Sequence, residues 1–365
     1  MAEDVLAEAV QHHEAGRLKK AEKLYRGVLK ANPKNSVALN LLGVLNYQAG
    51  RHSKAIRLIG KAVSISPDYA FAHFNLGNVY KYRGKLGEAE AAFRRVVALS
   101  PNDAGAHGNL GAVLQEQGRH ADSQLAFDKA VELEPANPEA HFNLANVLLA
   151  LRDEDRAVAA FQKALALKPD YTEAHANLGT LFLDQGEYEQ AIAALRRAVE
   201  LEPGLAEAHA NLGFVQNELG DVEAALNTLE TAIGLNPYLT EAHNNLGSAL
   251  KSLHKFADAA AAFRRAIRLR PDFAEAHINL GNTLFQQQDL DTRRRHWTRR
   301  SLSIPTMWTR SGPLRICGSA PIARTRRARS SNKDCASRPK TMSSICSPLN
   351  ATGATEISNR QSRAW

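Results

Sequence analysis

The chain has 365 residues, 44% of them hydrophobic, with a formal net charge of +8. This length suits several domains or one extended stack, and no apolar run is long enough to span a membrane. The charge alone would suggest a nucleic-acid or anionic-membrane partner, but from Thr292 onward sixteen Lys/Arg face only Asp334 and Glu356, so residues 1–291 are mildly acidic. Cys317, Cys335 and Cys346 all fall beyond that point too. A cysteine-free body fits a reducing compartment, and the Met-Ala-Glu-Asp start lacks the apolar run of a secretory signal, so a soluble, cytoplasmic protein is expected.

Eight prolines recur every 34 residues: Pro33, Pro67, Pro101, Pro135, Pro169, Pro203, Pro237 and Pro271. A fixed period of this length marks stacked copies of one helix–turn–helix unit. The first copy is atypical, with Glu8 where leucine recurs, as expected of a capping unit. Residues Thr172–Leu205 show the regular form. A first helix opens at Glu173-Ala174-His175 and carries Leu178, Gly179 and Phe182 at helical spacing up to Gly186. A second runs through Tyr188, Ala191, Leu195 and Ala198 to Leu201, and Pro203 stops it. Helices this short are marginal alone, so stability must come from neighbours.

Gly43, Gly77, Gly111, Gly179, Gly213, Gly247 and Gly281 share one register of the first helix, with Ala145 in the remaining copy. A mid-helix glycine costs about 1 kcal/mol against alanine, so its recurrence predicts close helix approach. Ala21, Ala55, Ala89, Ala157, Ala191, Ala225 and Ala259 are expected opposite it, with Tyr25, Ile59, Phe93, Phe127, Phe161, Leu195, Leu229 and Phe263 filling the space beside. The pattern resembles the tetratricopeptide repeat. That resemblance covers residues 2–291, eight full units and the first helix of a ninth, and it implies an all-α, right-handed superhelical solenoid. The family's usual Trp is replaced by His73, His107, His141, His175, His209, His243 and His277.

A second ladder consists of Asn75, Asn109, Asn143, Asn177, Asn211, Asn245 and Asn279, with Leu41 in that register of the second unit. Asparagine is a poor helix-interior residue because its amide competes with the backbone. On a concave face these amides would hydrogen-bond the backbone of an extended peptide, since an amide both donates and accepts. The alternative is that they bridge adjacent repeats. The phrase Ala-His-x-Asn-Leu-Gly-Asn (Ala72–Asn78, Ala276–Asn282) resembles the superhelix of protein O-GlcNAc transferases. In that family an asparagine ladder holds substrate polypeptide, and the resemblance implies the same role for these seven residues. Their glycosyltransferase domain has no counterpart here. The chain is therefore read as a protein-interaction scaffold, with the substrate-recruiting part of such an enzyme as the alternative.

Equivalent histidines lie about a helix-pair width apart, far beyond a shared Zn–N distance of about 2 Å, so packing or hydrogen bonding is expected of them and no metal. Glu139, Glu173, Glu207, Glu241 and Glu275 fall in first turns, where carboxylates favour the helix dipole. No phosphate loop, nucleophile elbow or ligand-spaced Cys/His pair is present, so neither catalytic residues nor a cofactor are expected.

At Thr292 the repeat collapses into Arg-Arg-Arg-His-Trp-Thr-Arg-Arg-Ser. Read one base out of frame, His296-Trp297-Thr298 forces Leu-Asp and Met307-Trp308-Thr309 forces Val-Asp, and the codons between permit L-D-K-A-V-A-L-D-P-D-Y-V-D-A. That matches the pattern of Leu195–Ala208. Residues 292–365 are thus read as a frame-shifted, disordered tail that would leave the stack uncapped, with an apolar helix face exposed. The rival is a genuine basic tail whose Arg324, Arg326, Arg327 and Arg329 contact phosphates, the sole basis for a nucleic-acid partner.

Overall fold

Each 34-residue period folds into two antiparallel helices joined by a turn that only a left-handed residue can make. The computed structural model describes residues 2–302. The first four pairs are α1 (Ala2–Glu14) with α2 (Leu18–Ala31), α3 (Ser36–Gln48) with α4 (His52–Ile65), α5 (Ala70–Tyr82) with α6 (Leu86–Leu99), and α7 (Ala104–Glu116) with α8 (His120–Leu133). The next four are α9 (Pro138–Ala150) with α10 (Glu154–Leu167), α11 (Thr172–Gln185) with α12 (Tyr188–Leu201), α13 (Ala206–Glu218) with α14 (Val222–Leu235), and α15 (Thr240–Ser252) with α16 (Phe256–Leu269). A seventeenth helix, α17 (Ala274–Leu302), packs on α16 and has no second helix of its own among the described residues.

The turn inside each pair places one residue at positive φ. Gly16, Gly50, Gly84, Gly118, Gly186 and Gly220 hold it in six pairs, and Arg152 (φ 64°) and His254 (φ 58°) hold it in the other two. The turn between pairs is set by proline. Its preceding residue is pushed out of the helical region, as at Asn32 (φ −135°, ψ 93°) and Glu202 (φ −136°, ψ 92°), so each second helix ends there. Most first helices start in one of two ways, and α5, behind Tyr69, uses neither. Asn35, Asp103 and Asn137 cap theirs with side-chain oxygens on backbone N–H groups. Tyr171, Leu205 and Leu239 cannot, and there Glu173, Glu207 and Glu241 stand in the first turn against the dipole.

The recurring glycine lets the two helices of a pair close up. A Cβ on Gly77 would stand 2.8 Å from the Phe93 ring, and one on Gly213 would stand 2.6 Å from Leu229 Cγ. A Cβ on Gly43 would overlap Ile59. The large residue sixteen positions on thus lies directly over the glycine, where the sequence had put the alanines opposite and the large residues to one side. Tyr25, Phe93, Phe127, Phe161 and Phe263 are fully buried by this arrangement. The alanines contribute backbone, as the Ala55 and Ala225 carbonyls show at 3.4 and 3.2 Å from the added Cβ positions.

Successive first helices also touch one another: α3 and α5, α7 and α9, α11 and α13, α13 and α15, α15 and α17. Among the described residues no two successive second helices meet to that extent. The stack is therefore tighter on the first-helix side, which becomes its inner wall.

At the far end α17 departs from expectation. The position of the turn glycine is occupied by Gln288, and the helix continues to Leu302, through residue 292, where the sequence had placed a boundary. Without a residue suited to positive φ nothing reverses the chain, and no proline follows until Pro305. Gly281 has nothing within 4 Å of its Cβ position, and Ile278 and Phe285 are 64% and 75% exposed. The expected open apolar face is present. Residues 303–365, the rest of the suspected tail, lie outside the described residues. Among the described residues no helix is long and apolar enough to cross a membrane.

Candidate functional site

The inner wall is built from one stripe per first helix. In α11 it comprises Glu173, Ala176, Asn177, Thr180 and Asp184, spaced three or four residues apart. The opposite stripe, with Ala174, Leu178, Gly179 and Phe182, packs against the core. The asparagine ladder is therefore on the inner wall, at the same height in each repeat.

The amide nitrogens reach sideways into the preceding repeat. Asn75 Nδ2 donates to Asn40 Oδ1 at 3.1 Å and Asn279 Nδ2 to Asn244 Oδ1 at 3.2 Å. These two acceptors share one register. Asn245 faces the same register, but the residue there is Ala210, and it donates to that backbone carbonyl at 3.4 Å. Asn177 and Asn211 turn the other way and donate to Asn146 Oδ1 at 2.9 Å and Thr180 Oγ1 at 3.1 Å. Asn109 donates within its own helix to the Gly105 carbonyl at 2.9 Å. Asn143 has Gly108 and Ala112 at the two neighbouring positions, and its amide makes no hydrogen bond among the described residues.

The inter-repeat bridging that the sequence left as an alternative is thus what five of the seven nitrogens do. The oxygens are different. No ladder Oδ1 belongs to the enclosed polar atoms that lack a partner, and among the described residues none accepts a side-chain bridge from the neighbouring repeat. Bridging fixes five of the amides with their carbonyl oxygens unpartnered, which makes those five a set of oriented acceptors. Asn75, 6% exposed, is its least accessible member.

The histidine ladder has a different use. Nε2 of His73, His107, His141, His175, His209, His243 and His277 lies 2.9 to 3.1 Å from the carbonyl of the proline six residues earlier. A carbonyl only accepts, so Nε2 carries the hydrogen and ties each first helix to the turn before it. Sequence spacing suggested hydrogen bonding in general, but the partner was not visible because it is a backbone atom delivered by the turn.

Carboxylates predominate on the wall, although Lys81 of α5 pairs with Glu116 of α7 at 3.8 Å. Asp184 is open to solvent yet surrounded by trough atoms. Desolvation first, and then the nearby charge of Glu154, raise its carboxyl above the ordinary range against the pull of Arg152. Glu154 itself accepts from Gln185 Nε2 at 3.3 Å. Toward the end of the stack, Glu241 pairs with Arg270 at 2.9 Å and Glu275 accepts from Asn244 at 2.9 Å. Among the described residues no group of His, Cys, Asp and Glu is arranged to hold a metal ion.

Models described as tetratricopeptide repeat match residues 12–73, 110–172, 160–193, 206–238 and 241–292, and one described as TPR repeat matches 77–118 and 179–220. The chain belongs to the tetratricopeptide repeat family. Solved structures agree on the TPR fold. The chain is 22% identical to Pseudomonas aeruginosa pilF, with a TM-score of 0.51 over 57% of this chain and 94% of that one. It is 19% identical to a chain of the APC/C hetero-tetramer Cut9-Hcn1, with a TM-score of 0.52 over 77% of this chain and 55% of that one. YrrB, a TPR protein with an unusual peptide-binding site, is 24% identical over 52% of this chain and 97% of its own, with a TM-score of 0.47. No curated protein matches.

Proposed function

We propose that the chain is a cytoplasmic protein-interaction scaffold that holds an extended polypeptide along its inner wall. The asparagine ladder accepts hydrogen bonds from the backbone N–H groups of that polypeptide. The observation that carries this reading is the row of ladder oxygens from Asn75 to Asn279, at one height in seven successive first helices and none of them enclosed without a partner. Neighbouring helices pack about 8–10 Å apart and an extended chain advances about 3.3 Å per residue, so one amide meets roughly every third peptide residue. Backbone N–H groups are common to all sequences but proline. Bonds worth about 0.5–1.5 kcal/mol each then give affinity that tolerates sequence variation. Membership of the TPR family supports the scaffold role.

The test is capture of an extended polypeptide by the chain carrying Asn143→Ala, Asn177→Ala and Asn211→Ala together, with helicity followed by circular dichroism. Weaker capture at unchanged helicity is expected, and unchanged capture removes the ladder from the role. The enzyme-linked reading has the Ala-His-x-Asn-Leu-Gly-Asn phrase in its favour. A sugar-nucleotide-binding domain encoded in frame downstream would support it.

A further inference from the structure

The four first helices α7, α9, α11 and α13 contain no Lys or Arg. Their inner stripe nevertheless carries carboxylates in two rows. Glu139, Glu173 and Glu207 stand in the first turns and Glu116, Asp184 and Glu218 near the ends, all of them exposed, and Glu116 pairs with Lys81 of α5 at 3.8 Å. Among the described residues no cation forms an ion pair with the other five, although Arg152 stands near enough to Asp184 to act on its charge, and ion pairs are frequent elsewhere. Arg26 and Arg51 hold Glu22, Arg94 and Arg119 hold Glu90, and Arg197 holds Glu200, all on the second helices or the turns that lead into them. Most ion pairs thus sit on the outer helices, and in the middle of the trough carboxylates predominate over the cations near them, Lys81 beside Glu116 and Arg152 near Asp184.

Between the two acidic rows lie the ladder amides and the half-buried apolar side chains Phe142, Leu149, Leu183 and Phe214. The full order of carboxylate, acceptor amide, apolar floor and carboxylate is present in α11 and α13, whereas α9 ends on Ala150 and α7 has Gly105 in its first turn. It selects a ligand by its chemistry. Phosphate backbones and acidic segments are repelled by the wall. A purely apolar strand would leave the carboxylates without partners. Lys and Arg side chains long enough to reach the rims would answer both rows while the backbone sits on the amides.

We propose that the partner held in the trough is a basic extended segment, with Lys or Arg recurring every few residues and an apolar side chain seated over Phe142, Leu183 or Phe214. This rests on the peptide-holding reading above, and adds to it the charge and pattern of the partner.

The test uses the full chain and three fluorescently labelled peptides of equal length, in which leucine alternates with lysine, glutamine or glutamate, followed by anisotropy. The lysine peptide is expected to bind about tenfold tighter than the glutamine peptide, with the glutamate peptide weakest. This preference should shrink several-fold as salt rises from about 0.05 to about 0.3 M. The variant Glu173→Gln, Asp184→Asn, Glu207→Gln should bring the lysine peptide down about tenfold to the level of the glutamine peptide, whose own binding stays unchanged. Equal binding of the lysine and glutamine peptides overturns the charge inference and leaves the groove reading standing. Binding of none of the three removes both. Lysine-peptide binding that appears only once residues beyond Leu302 are removed assigns the trough to the chain's own basic end and likewise overturns the proposal.

Discussion

Cε1 of Phe263 lies 2.6 Å from where a Cβ would stand on Gly247, so these helices meet at a distance that a methyl group forbids. The same relation joins Gly179 to Leu195 and Gly213 to Leu229, each sixteen residues apart. Gly247→Ala should therefore destabilise the stack by about 1–3 kcal/mol, the usual cost of overpacking. Gly281 occupies the same register with nothing within 4 Å, and Gly281→Ala should gain up to about 1 kcal/mol of helix propensity. Urea melts of the two variants must shift in opposite directions. A common direction would show that backbone freedom, rather than close approach, explains the recurring glycine. Ala145 facing the buried Phe161 shows that one pair has already accommodated the methyl.

Arg152 and His254 sit at the turn position that glycine fills in six other pairs, with φ of 64° and 58°. A left-handed side-chain residue costs about 1–2 kcal/mol, partly offset because glycine loses more freedom on folding. Arg152→Gly and His254→Gly should each stabilise by about 0.5–1 kcal/mol. Gly220→Ala, at φ 85°, should destabilise by about 1 kcal/mol. Thermal melts read all three, and a loss of stability in both glycine variants would mean that Arg152 and His254 make contacts outweighing the strain.

Asp184 has its carboxyl raised above the ordinary value, mainly by desolvation in the trough and then by Glu154. The folded state then binds a proton more readily than the unfolded one, so the charged carboxylate disfavours folding at neutral pH. That penalty disappears as pH falls through the raised value. Asp184→Asn should stabilise the chain at pH 7 by less than about 1 kcal/mol, since the group is exposed and screened. The gain should fade on acidification through the carboxylate range. Melts of both proteins across that range check the sign, and a gain that grows on acidification would contradict it.

Where the sequence could be read and where it could not follow from what each residue answers to. The turn at Gly186, the proline boundaries and the close helix approach at the Gly register answer to local backbone rules and to one partner helix, and they were legible, although the large residue that lies over the glycine was placed beside it. The ladder's position was legible for the same reason, since it is a helical stripe. Its partners were not. Whether Asn177 turns toward Asn146 or Asn279 toward Asn244 depends on the offset between adjacent first helices, which no single repeat encodes. The end of the stack failed differently. Composition changes at Thr292, but a helix ends only where a residue such as glycine or proline stops it, and Gln288 does not.

Asn143 and Asn177 separate the ladder's two roles. Asn177 Nδ2 bridges to Asn146 at 2.9 Å in a half-buried setting, so Asn177→Ala should cost about 0.5–1.5 kcal/mol of stability. Asn143 makes no such bond, and Asn143→Ala should be neutral or gain about 0.5 kcal/mol of helix propensity. If the oxygens hold peptide, both variants lose affinity by a similar factor, several-fold for one hydrogen bond, although only one loses stability. If the ladder merely ties repeats together, any loss of affinity must follow stability, and Asn143→Ala will bind as the parent does. Measuring denaturation midpoints beside peptide affinity for these two single variants therefore distinguishes an acceptor row from a row of struts.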